Sequence, residues 1–276
     1  MGRKLGIIAG RGDWPRRLAD ACAQQERGCF VVALEGFCDV AKLGDLEYIQ
    51  VGLGSVGKTL KALKQHECED VVLAGPIDRP ALSSVKPDLR AMKLMPKLLK
   101  AQGDDGLLSV LVEEFESEGF RVVGIDDVMT DILAGAGAMG RISPDEQQMK
   151  DIQRGAEVVR ALGALDVGQA VVVQQGFVLG VEAAEGTDGL IERCGPMKRP
   201  GSAPVLVKMS KPDQDRRADL PTIGLQTMQE ALRAGFAGIA VENGGVIVAE
   251  RESLIQAADE AGMFLYGISE ATSQPG

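Results

Sequence analysis

The sequence predicts an α/β protein: an N-terminal Rossmann-like, doubly wound domain and a second, mixed α/β domain, joined by a Gly/Ala-rich linker. Three observations carry this prediction. Lys4 to Ala9 is an apolar run that stops at Gly10-Arg11-Gly12-Asp13-Trp14-Pro15, and Pro15 suits the first turn of a helix reaching about Gln25. Strand, glycine loop and helix in that order open a doubly wound domain. Apolar strands then alternate with amphipathic helices as far as Phe120 to Ile125. From Asp126 to Ile142 the chain turns small and glycine-rich, Leu133-Ala134-Gly135-Ala136-Gly137-Ala138-Met139-Gly140, as interdomain connections do. The boundaries follow: residues 1–130, a linker over 131–142, and 143–276.

Within the first domain, Cys29 to Leu34 reads as the second strand. It ends at Glu35, a little over 20 residues past the glycines, where a ribose-binding acid sits in dinucleotide-binding folds. The third glycine of that signature is missing. A strand near Tyr48 to Val51 and a helix from Ser55 follow. Asp70 to Ala74 is a buried strand ending at Gly75-Pro76, and its carboxyl end is expected beside that of the first strand, where the strand order reverses and ligands bind. Residues 80–95 read as irregular, with Arg79, Lys86, Asp88, Arg90 and Lys93 as polar candidates. Pro96 is expected to begin a helix that stops at Gly103-Asp104-Asp105-Gly106, with the next helix over Leu107 to Glu118.

In the second domain, Ser143-Pro144-Asp145-Glu146 reads as a capping box opening a helix to about Leu162. Ala170 to Gln174 and Phe177 to Glu182 form a hairpin around Gln175-Gly176. The loop Glu182-Ala183-Ala184-Glu185-Gly186-Thr187-Asp188-Gly189 precedes a helix from Leu190 to Arg193, with Thr187 or Asp188 as its cap. Val205 to Lys208 is a strand. Thr222 is expected to cap a helix from Ile223 to Ala234, closed by Gly235 in the left-handed region. Strands over Ala237 to Val241, Gly245 to Ala249 and Phe264 to Ile268 finish the domain, with a helix from Glu252 to Ala261 between the last two. The tail after Ser269 reads as disordered.

Composition narrows the function. A net charge of −10 over 276 residues argues against a nucleic-acid partner, because no basic excess exists to displace counterions. No run reaches the ~20 apolar residues a membrane span needs. Five scattered cysteines without C-x-x-C spacing read as reduced thiols in a cytoplasmic protein. The single histidine, His66, sits in the polar tail of a helix and reads as a surface residue. No catalytic unit built on histidine and no zinc cluster can be assembled, so any metal should be a hard cation held by oxygens, Mg²⁺ or Mn²⁺.

The densest polar stretch runs Lys208-Met209-Ser210-Lys211-Pro212-Asp213-Gln214-Asp215-Arg216-Arg217-Ala218-Asp219-Leu220-Pro221-Thr222-Ile223-Gly224. Cations, carboxylates and a helix start together suit a divalent cation and a phosphate. Loops 182–188 and 208–222 hold most of the second domain's polar residues. If both face the Gly10 and Gly75 loops, the site is an interdomain cleft.

The string Lys211-Pro212 followed by Asp215-Arg216-Arg217-Ala218-Asp219-Leu220-Pro221-Thr222-Ile223-Gly224 resembles the LpxI-type UDP-2,3-diacylglucosamine pyrophosphatases of lipid A biosynthesis. So do the opening Leu5-Gly6-Ile7-Ile8-Ala9-Gly10-Arg11-Gly12, the segment Gly103-Asp104-Asp105, and Val181 to Asp188. The resemblance covers nearly the whole length. Its one departure is Pro76, where relatives are expected to carry Asn.

The resemblance implies a cytoplasmic homodimer, peripheral at the inner membrane through transient contact with its surface, whose two domains enclose a lipid-linked UDP-sugar. It implies Mg²⁺-dependent hydrolysis of UDP-2,3-diacylglucosamine to UMP and 2,3-diacylglucosamine 1-phosphate (lipid X), with water attacking the phosphorus that bears the sugar. Asp219 inherits the leading role, as metal ligand or general base. Asp188 and Lys211 join it as catalytic candidates, and Asp219, Asp188 and Asp104 are the metal candidates. Gly10, Gly12, Gly75, Lys93, Thr187, Lys208, Arg217, Thr222 and Gly224 are the substrate-binding candidates, with Lys208, Lys211 and Arg217 countering the diphosphate. Two other classes stay open: an NAD(P)-dependent oxidoreductase, resting on Gly10, Gly12 and Glu35, and a non-catalytic sensor of UDP-sugar or lipid.

Overall fold

The computed structural model describes residues 2–77, 86–101, 103–212, 215–217 and 220–269, with backbone alone at 103–105. The chain divides into two compact units. One comprises Met1–Thr130 with Asp215–Asp219, the other Asp131–Gln214 with Leu220–Gly276.

The first unit runs β1 (Leu5–Ala9), α1 (Trp14–Gln24), β2 (Cys29–Leu34), β3 (Tyr48–Val51), α2 (Val56–Gln65), β4 (Asp70–Ala74), α3 (Leu89–Lys100), α4 (Gly103–Ser117), β5 (Arg121–Val122) and α5 (Ile125–Val128). Its five strands are all parallel, in the order β3-β2-β1-β4-β5. Strands buried on both faces need apolar residues almost throughout, and LGIIA, CFVVAL and the VVLA of β4 supply them; buried Asp70, which opens β4, is paired with Arg27 and Arg121. On one face Ile8, Phe30 and Val32 pack with Leu60 and Leu63 of α2 and Phe115 of α4. On the other, Ile7, Val31 and Val72 pack with Leu18 and Cys22 of α1 and Val128 of α5. The strand order turns back between β1 and β4, as expected, and brings their carboxyl ends together.

Two expectations in this unit are corrected. Residues 89–95 are helical, and Pro96 lies inside α3 rather than at its start. The cause is Asp88, whose carboxylate accepts from Arg90 N and Ala91 N and so caps α3 eight residues upstream of the proline. The same carboxylate accepts from Gly57 N at 2.7 Å, tying α3 to the first turn of α2. Helix α4 starts at Gly103, so Asp104 and Asp105 belong to its first turn rather than to a preceding loop.

The second unit runs β6 (Gly137–Ala138), α6 (Glu146–Gly163), β7 (Ala170–Gln174), β8 (Phe177–Val181), α7 (Gly186–Cys194), β9 (Val205–Lys208), β10 (Thr222–Ile223), α8 (Leu225–Arg233), β11 (Gly238–Glu242), β12 (Ile247–Val248), α9 (Arg251–Ala261) and β13 (Phe264–Ile268). Six strands form one mixed sheet, β6-β13-β11-β9-β7-β8. β9, β11 and β13 run parallel, while β6 and β7 are antiparallel to their neighbours. Helix α6 covers one face through Ile152, Ala156 and Val159. Gly155 lets it close on the sheet, since a Cβ there would lie 2.5 Å from a methyl of Val207. Helices α7, α8 and α9 cover the other face through Leu190, Met228 and Leu254.

The hairpin between β7 and β8 turns at Gln175 and Gly176 with φ of 51° and 80°, the doubly positive turn that matches strand twist. Fully buried Asp151 of α6 accepts from both turn amides, at 2.8 and 2.7 Å. The Gly/Ala-rich run, expected to be a linker, is taken up by the second unit. Gly137 and Ala138 pair with Gly267 and Tyr266, and a Cβ on Gly267 would fall 1.6 Å from the Gly135 carbonyl oxygen.

Three helix starts differ from expectation. α6 is capped by Asp145, in a reciprocal box with Gln148, not by Ser143. α7 begins at Gly186, which carries Thr187 and Asp188 into its first turn instead of the cap position. Thr222 and Ile223 pair with Ile247 and Val248 as a two-stranded parallel sheet, so α8 starts at Leu225 with Gly224 as its cap. The far end of α8 closes as expected: Gly235 (φ 70°) donates to Leu232 O and Phe236 to Ala231 O, the paired bonds of a glycine C-cap. The expected disordered tail, 270–276, lies outside the described residues. Among the described residues no helix is long and apolar enough to cross a membrane.

Candidate functional site

In the second unit, polar side chains gather at the sheet edge where β9 and β11 end, β7 begins and β8 finishes. Glu182 continues β8 by one residue, its amide donating to Ala170 O at 2.9 Å. Helix α7 then starts at Gly186, whose positive φ of 73° turns the chain back. Thr187 thereby comes over Glu182 and donates from Oγ1 to Glu182 Oε1 at 2.6 Å. The second carboxylate oxygen accepts from Gln169 N at 2.9 Å. Lys208, the last residue of β9, donates from Nζ to Thr187 Oγ1 at 2.9 Å and to Thr222 O at 3.0 Å.

Glu182 and Lys208 are each only 6% exposed. A buried carboxylate and a buried ammonium thus share one hydroxyl, which donates to the first and accepts from the second. Burial of either charge alone is costly, so the network fixes all three side chains. Beside it, Gln169 Oε1 is buried and has no hydrogen-bond partner among the described residues.

The flanking candidates have partners of their own. Lys211 Nζ reaches Asp166 Oδ1 at 2.6 Å. Asp188 accepts from Gln226 Nε2 of α8 at 2.8 Å. Ser210 donates from both its amide and its hydroxyl to Glu242 Oε2, pinning the residue that follows Met209 to the end of β11. Gly224 sits in extended backbone ahead of α8, with only ordinary contact where a Cβ would go.

In the first unit, Gly10 and Gly75 lie at the switch of strand order. Gly10 N donates to Ala74 O at 2.8 Å and Arg11 N to Pro76 O at 3.0 Å. A Cβ on Gly10 would stand 2.5 Å from Gly75 O, and one on Gly75 2.1 Å from Arg11 O. Close approach of two backbones therefore accounts for Gly10, and close approach together with a φ of 91° accounts for Gly75. Gly12 differs: its φ is 86° with nothing near the missing Cβ, so it is required for conformation. Glu35 is exposed, and its amide donates to Val51 O.

Arg217 belongs to this unit and is already engaged. It binds Asp215 through Nε at 2.9 Å and Nη2 at 2.8 Å, and Glu116 through Nη1 at 2.6 Å. The pairing raises the guanidinium pKa and lowers that of Asp215. Through the Glu116 bond Arg217 holds this segment to α4. Lys93 is exposed on α3.

Asp219 and the side chain of Asp104 lie outside the described residues. Of the three metal candidates only Asp188 is described. Among the described residues no three His, Cys, Asp or Glu side chains converge as a metal's donor set would. His66, expected at the surface, is half-buried: its ring stacks on Phe30 at 3.7 Å and its Nδ1 lies 3.3 Å from Glu47.

Sequence reasoning singled out Thr187 and Lys208, which the structure joins. It noted Glu182 without assigning it a role, and it missed Gln169 and the Ser210–Glu242 pair. Their signal is tertiary: no local spacing links residues 169, 182 and 208.

The family models described as the LpxI N-terminal domain and the LpxI C-terminal domain match residues 4–132 and 135–266. A curated relative from Caulobacter vibrioides, UDP-2,3-diacylglucosamine pyrophosphatase LpxI, is 42% identical over 274 residues, covering 96% of this chain and 98% of that one. The chain belongs to the LpxI family. Among solved structures, the biotin carboxylase domain of a thermophilic 2-oxoglutarate carboxylase aligns at 12% identity over 62% of this chain and 35% of its own, with a TM-score of 0.26. N5-carboxyaminoimidazole synthetase from Staphylococcus aureus aligns at 18% identity over 70% of this chain and 44% of its own, with a TM-score of 0.22. At these TM-scores neither likeness carries weight beside LpxI kinship.

Proposed function

We propose that this LpxI-family protein hydrolyses the pyrophosphate bond of UDP-2,3-diacylglucosamine, releasing UMP and 2,3-diacylglucosamine 1-phosphate in lipid A biosynthesis. The observation that carries the reading is 42% identity along 96% of the chain to a relative named for that activity. The chemistry of the second unit's sheet edge agrees with it. A buried ammonium held in fixed orientation suits the charge that develops on a transferring phosphoryl group. Lys208 has that character, set by Thr187 and the Thr222 carbonyl.

The remaining assignments are part of the proposal. Lys208 and Lys211 stabilise the diphosphate, Thr187, Thr222 and Gly224 border it, and Asp219 acts as the principal carboxylate. The N-terminal unit is read as Rossmann-like, with Gly10, Gly12 and Gly75 facing the substrate at its switch point. We assign a requirement for Mg²⁺, with Mn²⁺ as a substitute, and Asp219, Asp188 and Asp104 as the carboxylates to test for it. Such a cation supplies neutralisation of the diphosphate and acidification of water. The protein is further proposed to act as a cytoplasmic homodimer at the inner face of the membrane.

The test is release of UMP from UDP-2,3-diacylglucosamine by purified protein with Mg²⁺, with Mn²⁺ and with EDTA. Metal-dependent release of UMP together with lipid X is expected, and Asp219→Ala should abolish it without unfolding the chain. In ¹⁸O-water the label should enter lipid X rather than UMP. Absence of release under every metal, from folded protein, would overturn the reading.

A further inference from the structure

Helix α3 carries a face that the fold does not use. Its inner side, with Ala91 and Leu94 buried, packs against α2 and α4. On the outer side Leu89, Met92 and Leu99 are 81%, 57% and 64% exposed. With Pro96 they follow one another at intervals of three, four and three residues, which places them in a single stripe along the helix. A second stripe, Lys93, Lys97 and Lys100, runs beside it at intervals of four and three, and all three lysines are exposed. From Lys86 to Lys100 the chain has five cations and one acid, within a protein of net charge −10. Apolar residues and lysines side by side on one exposed helical face are the makings of a helix that lies in a bilayer interface.

We propose that α3 docks the protein on an anionic lipid bilayer, with Leu89, Met92 and Leu99 entering the headgroup boundary and Lys93, Lys97 and Lys100 meeting lipid phosphates. The inference rests on the reading that the substrate is lipid-linked, and it names the surface that meets the lipid. Charge decides against a second copy of the chain as occupant. A two-fold interface brings the same patch of each subunit together and would gather six like-charged lysines in one interface, whereas an anionic bilayer neutralises them. The cap at Asp88 and the Arg90 bonds to Glu114 and Glu118 anchor the helix to its own unit, so it presents this face as a rigid element.

The experiment is co-sedimentation of the full chain with vesicles of phosphatidylcholine alone and of phosphatidylcholine with phosphatidylglycerol, without substrate. Binding to the anionic vesicles is expected, with loss at high salt and little binding to the neutral ones. K97Q/K100Q and, separately, L89S/M92S/L99S should each weaken binding roughly tenfold or more. Hydrolysis of detergent-dispersed substrate by the L89S/M92S/L99S variant should stay near wild type. Vesicle binding unchanged in both variants would overturn the proposal. So would a shift of the L89S/M92S/L99S variant from dimer to monomer with vesicle binding intact, which would assign the face to a second copy. Loss of hydrolysis of dispersed substrate with vesicle binding intact would also overturn it and assign the face to the substrate's acyl chains. Because binding is read without turnover, failure of the hydrolase reading leaves this test standing.

Discussion

The hydroxyl of Thr187 is the hinge of the second unit's polar edge. Removing Glu182 takes away the acceptor of the Thr187 hydroxyl and of the Gln169 amide, at about 1–3 kcal/mol for each buried donor left unsatisfied. Glu182→Ala is therefore expected to lower the urea midpoint sharply, and Glu182→Gln, which keeps the shape, by half as much or less. Lys208→Met should cut turnover by about 10²-fold, the scale for losing one preorganised charge-stabilising donor; wild-type turnover would remove Lys208 from the chemistry. Cys29 yields a separate test. A hydrogen bond from Cys22, aided by Lys4 and Arg27, lowers its thiol to about 7, while the same bond and, after it, burial push Cys22 up. Cys29 should be the first cysteine alkylated by iodoacetamide, with a rate rising through neutral pH, and Cys22→Ala should move that rise to higher pH. Peptide mass spectrometry reads both outcomes.

Elements were legible in the sequence wherever their signals were local. The glycine loop after β1, the hairpin at Gln175-Gly176 and the Gly235 stop each depend on residues a few positions apart, and each stands where expected. Starts of elements were harder. Asp88 caps α3 with no Ser, Thr or Glu pattern beside it, so the proline eight residues on drew the boundary instead. Thr222 and Ile223 resemble a helix entry until Ile247 and Val248 arrive to pair with them, and that contact is not written nearby. Ser143 and Asp145 both offer a capping side chain, and only the Gln148 reply selects the second. Of the candidate site, Thr187 and Lys208 could be picked out singly, whereas their junction through Glu182 depends on three strands meeting.

Two variants test this scale. Gly75→Ala must place a methyl 2.1 Å from Arg11 O at φ 91°, so it should cost about 1–3 kcal/mol or more and loosen the Gly10 loop. Asp151→Ala removes the acceptor of two turn amides and should cost about 1.5–3 kcal/mol. Thermal melts measure both.

At the scale of the whole molecule, acid should act on both units, since Glu146 and Glu185 of the second are held below the usual carboxylate range by Lys150 and Arg193. Asp215 is held below the usual carboxylate range by Arg217, and Glu118 by Lys64 and Arg90. A carboxylate with a depressed folded pKa stabilises above its unfolded pKa, and the gain is lost as pH falls through the folded value. Stability should therefore decline from about pH 4 downward, and Arg217→Ala should flatten that decline; urea midpoints against pH check it.

The same arginine has a consequence for synthesis. The N-terminal unit is not one stretch of chain, because Asp215–Asp219 belongs to it while the residues before and after belong to the other unit. On the ribosome, Glu116 and Asp126 emerge well before Arg217 and Arg216, which pair with them at 2.6 and 3.7 Å. At ~5–20 residues per second the wait is on the order of ten seconds. A nascent chain must keep its first sheet soluble through that interval with part of the unit still unmade, so the pace of translation between the two bears directly on yield.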